Sequence, residues 1–171
     1  DMTASNFLFE TQSRMASVAQ QAWHRYLSGN RHRSFAGWYL PYESWTASYS
    51  AAEVDRLRSF FRGTDTACQL IAGDWPMAIS PFISGQRPSP CQVEQTYSQL
   101  LSQSGIDILL LQDSVGAQQW NDDIVQRASP YFQAFRQACD AAGVQLWANL
   151  ESFQVLDSVF TSCEVNRLRR Q

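Results

Sequence analysis

Residues 143–153 read GVQLWANLESF. Val144, Leu146, Ala148 and Leu150 are apolar, and Gln145, Trp147, Asn149 and Glu151 alternate with them. A period of two is the signature of a β-strand, so one face of this strand is oily and the other carries an indole, an amide and a carboxylate. A strand of this kind packs its oily face under a helix in a parallel sheet and turns its polar face to a barrel lumen or sheet top. Glu151 stands at the strand's C-terminal end, where parallel β/α barrels carry their reactive groups.

Working outward, similar strands recur between helical segments. Thr11 to Ser28 is expected to be an amphipathic helix, with Met15, Val18, Ala19, Ala22 and Tyr26 at helical spacing and Gly29 as the stop. FAGWYLPYE, Phe35 to Glu43, predicts a short aromatic strand that ends near Pro41. Ser50-Ala-Ala-Glu53 is a capping box, and it opens a helix running to Gly63 with a second short piece over Thr64 to Ala72. MAISPF, Met77 to Phe82, is the next strand, and the loop to Pro88 leads into a helix capped by Ser89-Pro90. IDILLLQD, Ile106 to Asp113, is the apolar run of a strand covered on both faces. Asn121 to Arg127 predicts a short helix, Ser129-Pro130 the cap of a longer one, and Thr161-x-x-Glu164 the start of a last helix.

Strict alternation of strands and helices means βαβ units and a parallel α/β sheet. Neither G-x-G-x-x-G nor a P-loop follows any strand, and polar residues gather on the inward face of the last one, which favours a TIM-type barrel over an open doubly wound sheet. Four strands are half of such a barrel, so residues 1–171 are expected to form a single partial barrel domain lacking strands at both ends.

The balance of 44% hydrophobic and 17% charged residues is that of a globular domain. A net charge of −3, without any long basic run, argues against nucleic acid as a partner. No apolar stretch reaches the roughly 20 residues of a membrane helix. Cys68, Cys91, Cys139 and Cys163 lie far apart without a C-x-x-C, and His24 and His32 lack visible partners, so neither a metal site nor any other cofactor is expected.

Three carboxylates, Glu43, Asp113 and Glu151, end three different strands, and in a parallel barrel those ends converge. Paired carboxylates at a barrel mouth suit glycosidic cleavage, one protonated to assist the leaving oxygen and the other ionised to attack or activate water. Trp38, Tyr39, Tyr42, Trp45 and Trp147 supply flat apolar surfaces for sugar rings, and Asn149 a hydrogen bond to a hydroxyl. Plainer readings stand beside these. Glu43 reads equally as a solvated loop residue, Asp113 as an Asx-turn former before Ser114, and Ser80 and Tyr39 as packing or hydrogen-bonding residues.

The segments GWYLPYE, AISPF, GIDILLLQDSVG and GVQLWANLESF, in this order, resemble an uncharacterised bacterial domain family of unknown function whose members look like glycoside hydrolases on a TIM barrel. The resemblance spans Ser34 to Gln171. It implies a carbohydrate substrate and a pocket holding Glu43, Asp113 and Glu151, with Tyr39, Gln112, Trp147 and Asn149 beside them. Two functions follow as expectations: a carbohydrate-active hydrolase, and a catalytically silent carbohydrate-binding barrel of an envelope or exopolysaccharide system. A small-molecule lyase or isomerase on the same scaffold is a third. Either carbohydrate reading implies a periplasmic or secreted location.

Overall fold

Helix starts are set by local chemistry. In the computed structural model, which describes residues 4–29, 34–85, 88–118, 120 and 123–169, Ser50 accepts from the Glu53 N–H while Glu53 accepts from the Ser50 N–H, and α2 runs from there over Ala51–Ala72. Ser89 and Gln92 repeat the arrangement with Pro90 in the first turn of α3, Pro90–Leu101. The other main helices are α1, Ala4–Ala22, extended by one π-helical turn over Trp23–Leu27, and α4, Ile124–Ala142.

Between these helices lie β1 (Trp38–Tyr39), β2 (Met77–Ile79), β3 (Ile108–Gln112) and β4 (Gln145–Asn149), which form one sheet in the order β1-β2-β3-β4. All three pairings are parallel. Alternation of strand and helix with every strand pointing the same way is the expected β/α layering, and the four strands are consistent with part of a TIM-type barrel.

One face of the sheet is the core. Ile79, Leu109 and Leu111 are fully buried on it under Phe61 of α2, Tyr97 of α3 and Phe135 of α4. The Tyr97 and Phe135 rings meet at 4.4 Å between centroids, joining α3 to α4. Cys68 and Cys139 lie in this core, where burial pushes both thiols up to about 11, as small hydrophobes.

Several expectations are corrected. Helix α2 does not break at Gly63 but runs on through it, with the amide end of the Gln12 side chain of α1 resting where a Cβ would stand. Helix α4 is continuous and contains Pro130, so Ser129 is not its cap. Pro130 is exposed, and water can satisfy the carbonyl its missing N–H leaves free. Thr161 pairs with Gln154 in a strand instead of capping a helix. It belongs to β6, Val159–Ser162, which forms an antiparallel hairpin with β5, Phe153–Leu156. The turn between them, Asp157-Ser158, holds both residues at positive φ, 47° and 65°, as a type I′ hairpin requires. The last helix is short, α5 over Val165–Leu168. His32, Gln86, Arg87, Asn121 and Asp122 lie outside the described residues.

Candidate functional site at the C-terminal rim of the sheet

Beyond their formal ends, the strands continue in register. Trp45 bridges Phe82, Phe82 bridges Gln112, and Gln112 pairs with Asn149. Residues paired across parallel strands share a face, so these four side chains form one row across the rim. Trp147 lies two residues before Asn149 and pairs with Leu110, on the same face. Tyr39 pairs with Ala78, which pairs with Ile108, on that face again. The five residues singled out for substrate contact, Tyr39, Trp45, Gln112, Trp147 and Asn149, therefore line the face of the sheet turned away from the helices.

The polar members of the row are held by Ser80. Asn149 donates from Nδ2 to Ser80 Oγ at 3.1 Å, Gln112 donates from Nε2 to the Ser80 carbonyl at 2.9 Å, and Ser80 Oγ donates to the Leu110 carbonyl at 2.9 Å. The amide oxygens of Gln112 and Asn149 accept no hydrogen bond from a described residue. Trp45 stacks on Phe82 at 6.2 Å and 29°. Tyr39 and Trp147 are half exposed, and Trp147 Nε1 donates to Gln145 Oε1 at 3.3 Å. The surface is open, flat and aromatic, with amides at its centre.

The carboxylates are not gathered together. Glu43 is exposed on the β1 side, between Leu40 and Ser44, and no hydrogen bond or ion pair among the described residues engages it. Asp113 follows the parity of Leu109 and Leu111, so it faces the helix layer and is buried. Its Oδ1 accepts the Val115 N–H at 3.2 Å, an Asx turn, and the Glu151 N–H at 3.2 Å. Burial raises the Asp113 pKa, and the two backbone bonds and Arg167 partly offset this. It also lines a cavity of about 330 Å³ with Val125, Phe132 and Leu150, on the far side of the sheet from the aromatic row.

Glu151 is the other buried acid, 7% exposed. Its Oε2 accepts the Ala117 N–H at 2.8 Å, with a further bond from the Gly116 amide. Burial raises its pKa, the two amides lower it, Asp113 raises it and Arg167 lowers it, and the net direction is upward. The structure thus joins Asp113 to Glu151 and leaves Glu43 on the opposite margin of the sheet.

Arg167 was not visible from the sequence, where it lies in a run of arginines near the end. Here it is 4% exposed, and its Nη2 donates to the Glu151 carbonyl at 2.8 Å and to the Phe153 carbonyl. Phe82, read from the sequence only as the last residue of the strand MAISPF, carries no other signal of its place in the row.

Another cavity, about 370 Å³, lies between α1, β1 and α2, lined by Met15, Val18, Trp38, Leu40 and Cys68. Although larger, it holds no carboxylate and stands apart from the rim. Among the described residues no cluster of His, Cys, Asp and Glu could hold a metal ion, and no helix is long and apolar enough to cross a membrane.

Parallel β/α layering with a polar and aromatic rim at the strands' C-terminal ends defines the class, an α/β fold consistent with part of a TIM-type barrel. Within that class the chain belongs to the DUF4434 family, a domain of unknown function whose model matches residues 1–171. Solved structures similar to it include a "putative alpha-L-fucosidase" from Bacteroides thetaiotaomicron, 24% identical, with a TM-score of 0.61. That alignment covers 89% of this chain and 46% of the other, so the chain spans about half the length of the structure it matches. At this identity the likeness is one of fold. No curated protein matches the chain.

Proposed function

We propose that this chain is part of a glycoside hydrolase barrel acting on an oligo- or polysaccharide, with the aromatic rim as its sugar-binding surface. The observation that carries the reading is the row Trp45, Phe82, Gln112 and Asn149, with Trp147 beneath it, ending next to a carboxyl group whose pKa is raised. Indole and phenyl faces pack on the C–H faces of sugar rings, and the unengaged amide oxygens accept from hydroxyls. A raised pKa suits Glu151 to hold the proton that a leaving glycosidic oxygen needs. Glu43, exposed across the rim, is the second carboxyl group of the pair, and Asp113 tunes Glu151 from behind.

Three strand spacings of roughly 4.8 Å separate the two margins, about 14 Å between backbones on a flat sheet. Such a span exceeds the roughly 6.5–9.5 Å between the carboxyl groups of inverting enzymes, so the two side chains would have to reach toward each other across the rim to act on one bond. The structural neighbour described as a putative alpha-L-fucosidase supports a carbohydrate substrate at the level of fold.

A second reading has its own observation. Asp113 and Glu151 both spend oxygens on backbone amides, which favours structural work for them and a non-catalytic, carbohydrate-binding barrel. Release of reducing ends from a glycan panel by the full-length protein separates the two. Hydrolysis that Glu43→Gln and Glu151→Gln each abolish, with folding intact, supports the first. Sugar binding without hydrolysis supports the second, and wild-type rates in both variants end the first.

A further inference from the structure

The backbone N–H, the backbone carbonyl and Oε2 of Glu151 are each held by a residue distant in sequence. Asp113 Oδ1 takes its N–H at 3.2 Å, Arg167 Nη2 donates to its carbonyl at 2.8 Å, and the Ala117 amide donates to its carboxylate at 2.8 Å. The same Arg167 nitrogen reaches the Phe153 carbonyl, tying down the start of the β5–β6 hairpin.

The two residues that hold the Glu151 backbone are themselves incompletely satisfied. Asp113 Oδ2 and Arg167 Nε and Nη1 are buried without a hydrogen-bond partner among the described residues, although both side chains are at least nine-tenths buried. A guanidinium buried with two of its nitrogens unspent costs more than an apolar residue of similar size would. An anchor needed only to fasten the hairpin would not require that charge.

We propose that Arg167 is a positioning residue for Glu151: donating to the Glu151 carbonyl while Asp113 accepts from the Glu151 N–H, it fixes where the Glu151 carboxyl stands. This rests on the hydrolase reading above for its functional meaning, but not for its test. The charged groups acting on Glu151 are Asp113 from the β3 end and Arg167 from α5, and they act in opposite directions.

The experiment is a titration of the Glu151 carboxyl by ¹³C NMR in the full-length protein, its signal assigned by loss in Glu151→Gln. Arg167→Met, Arg167→Lys and Asp113→Asn are compared with wild type. Arg167→Met is expected to raise the Glu151 pKa, Asp113→Asn to lower it, and Arg167→Lys to fall nearer wild type than Arg167→Met. If Arg167→Met fails to fold, Arg167→Gln, which also removes the charge, takes its place in the titration. An unchanged Glu151 pKa in the folded variants overturns the proposal.

Activity provides the separate arm. On any glycan the wild type cleaves, Arg167→Met should lower kcat about a hundredfold, the effect of displacing a reacting group by an ångström, with a smaller change in KM. It should also move the alkaline limb of the pH profile upward. Displaced titrations without glycan turnover sink the hydrolase reading and leave Arg167 in its role. Turnover with unmoved titrations does the reverse.

Discussion

Gly116→Ala is the most demanding test of how the rim is built. The glycine is not at positive φ, so alanine meets no backbone strain, and elsewhere such a change would stabilise by about 0.4–1 kcal/mol through the unfolded chain. Here the new Cβ would stand 2.1 Å from the Phe153 carbonyl oxygen and 3.1 Å from Oε2 of Glu151. A close carbon–oxygen contact needs about 3.3 Å, so the loop after β3 and the hairpin must part by roughly 1.2 Å. That displacement breaks the 2.8 Å bond from Ala117 to the Glu151 carboxylate. A hydrogen bond to a buried carboxyl is worth about 1–3 kcal/mol, so once the unfolded-state gain is subtracted the net loss should be about 1–2 kcal/mol. Urea unfolding of wild type and variant measures it. The same variant should lose the amide bonds that lower the Glu151 pKa, so its carboxyl should titrate higher still. A variant as stable as wild type, with the Glu151 titration unmoved, would refute the packing argument.

Other consequences are more local. Asp113 is held above its ordinary value chiefly by burial, so the native state binds more protons than the unfolded chain as pH rises from about 4. Its contribution to stability therefore falls with rising pH, and Asp113→Asn should gain on wild type between pH 3 and pH 6 in denaturant melts; the opposite slope would contradict the burial seen. Phe135→Ala empties a fully buried site beneath Tyr97 and should cost about 3–5 kcal/mol by urea unfolding. Trp45→Ala removes the plate stacked on Phe82 and should weaken oligosaccharide binding by about 1 kcal/mol in calorimetry, with stability almost unchanged because the indole is 38% exposed.

The features legible in the sequence were those that act over a few residues. Ser50 with Glu53, and Ser89 with Pro90, mark helix starts because a side-chain oxygen and an amide three residues on find each other without tertiary help. Alternation in GVQLWANLESF placed Trp147 and Asn149 on one face for the same reason. Contacts from outside the segment were hidden. Gly63 reads as a helix stop until α1 is seen to lean against it, and Ser129-Pro130 reads as a cap until Pro130 is seen facing water. The Asp157-Ser158 turn lacks the Asn-Gly or Asp-Gly pair that announces a hairpin, so β5 and β6 went unread. Asp113 carried two readings, and a one-residue difference in parity from Gln112 decides which face it occupies. Arg167 could not be told from its neighbouring arginines, since only the fold buries it.

The rim row also limits how this surface can change. Each member sits on its own strand or strand extension, where side chains alternate between faces, so adding a single residue ahead of any member would send that side chain into the helix layer. Adding two would restore it. The chain already carries such an even addition: six steps lead from Tyr39 to Trp45, but four from Ala78 to Phe82, and both routes arrive on the same face. The surplus lies around Pro41, Tyr42 and Glu43, so growth in pairs is how this margin can lengthen or shorten its reach while keeping its aromatic plate in place.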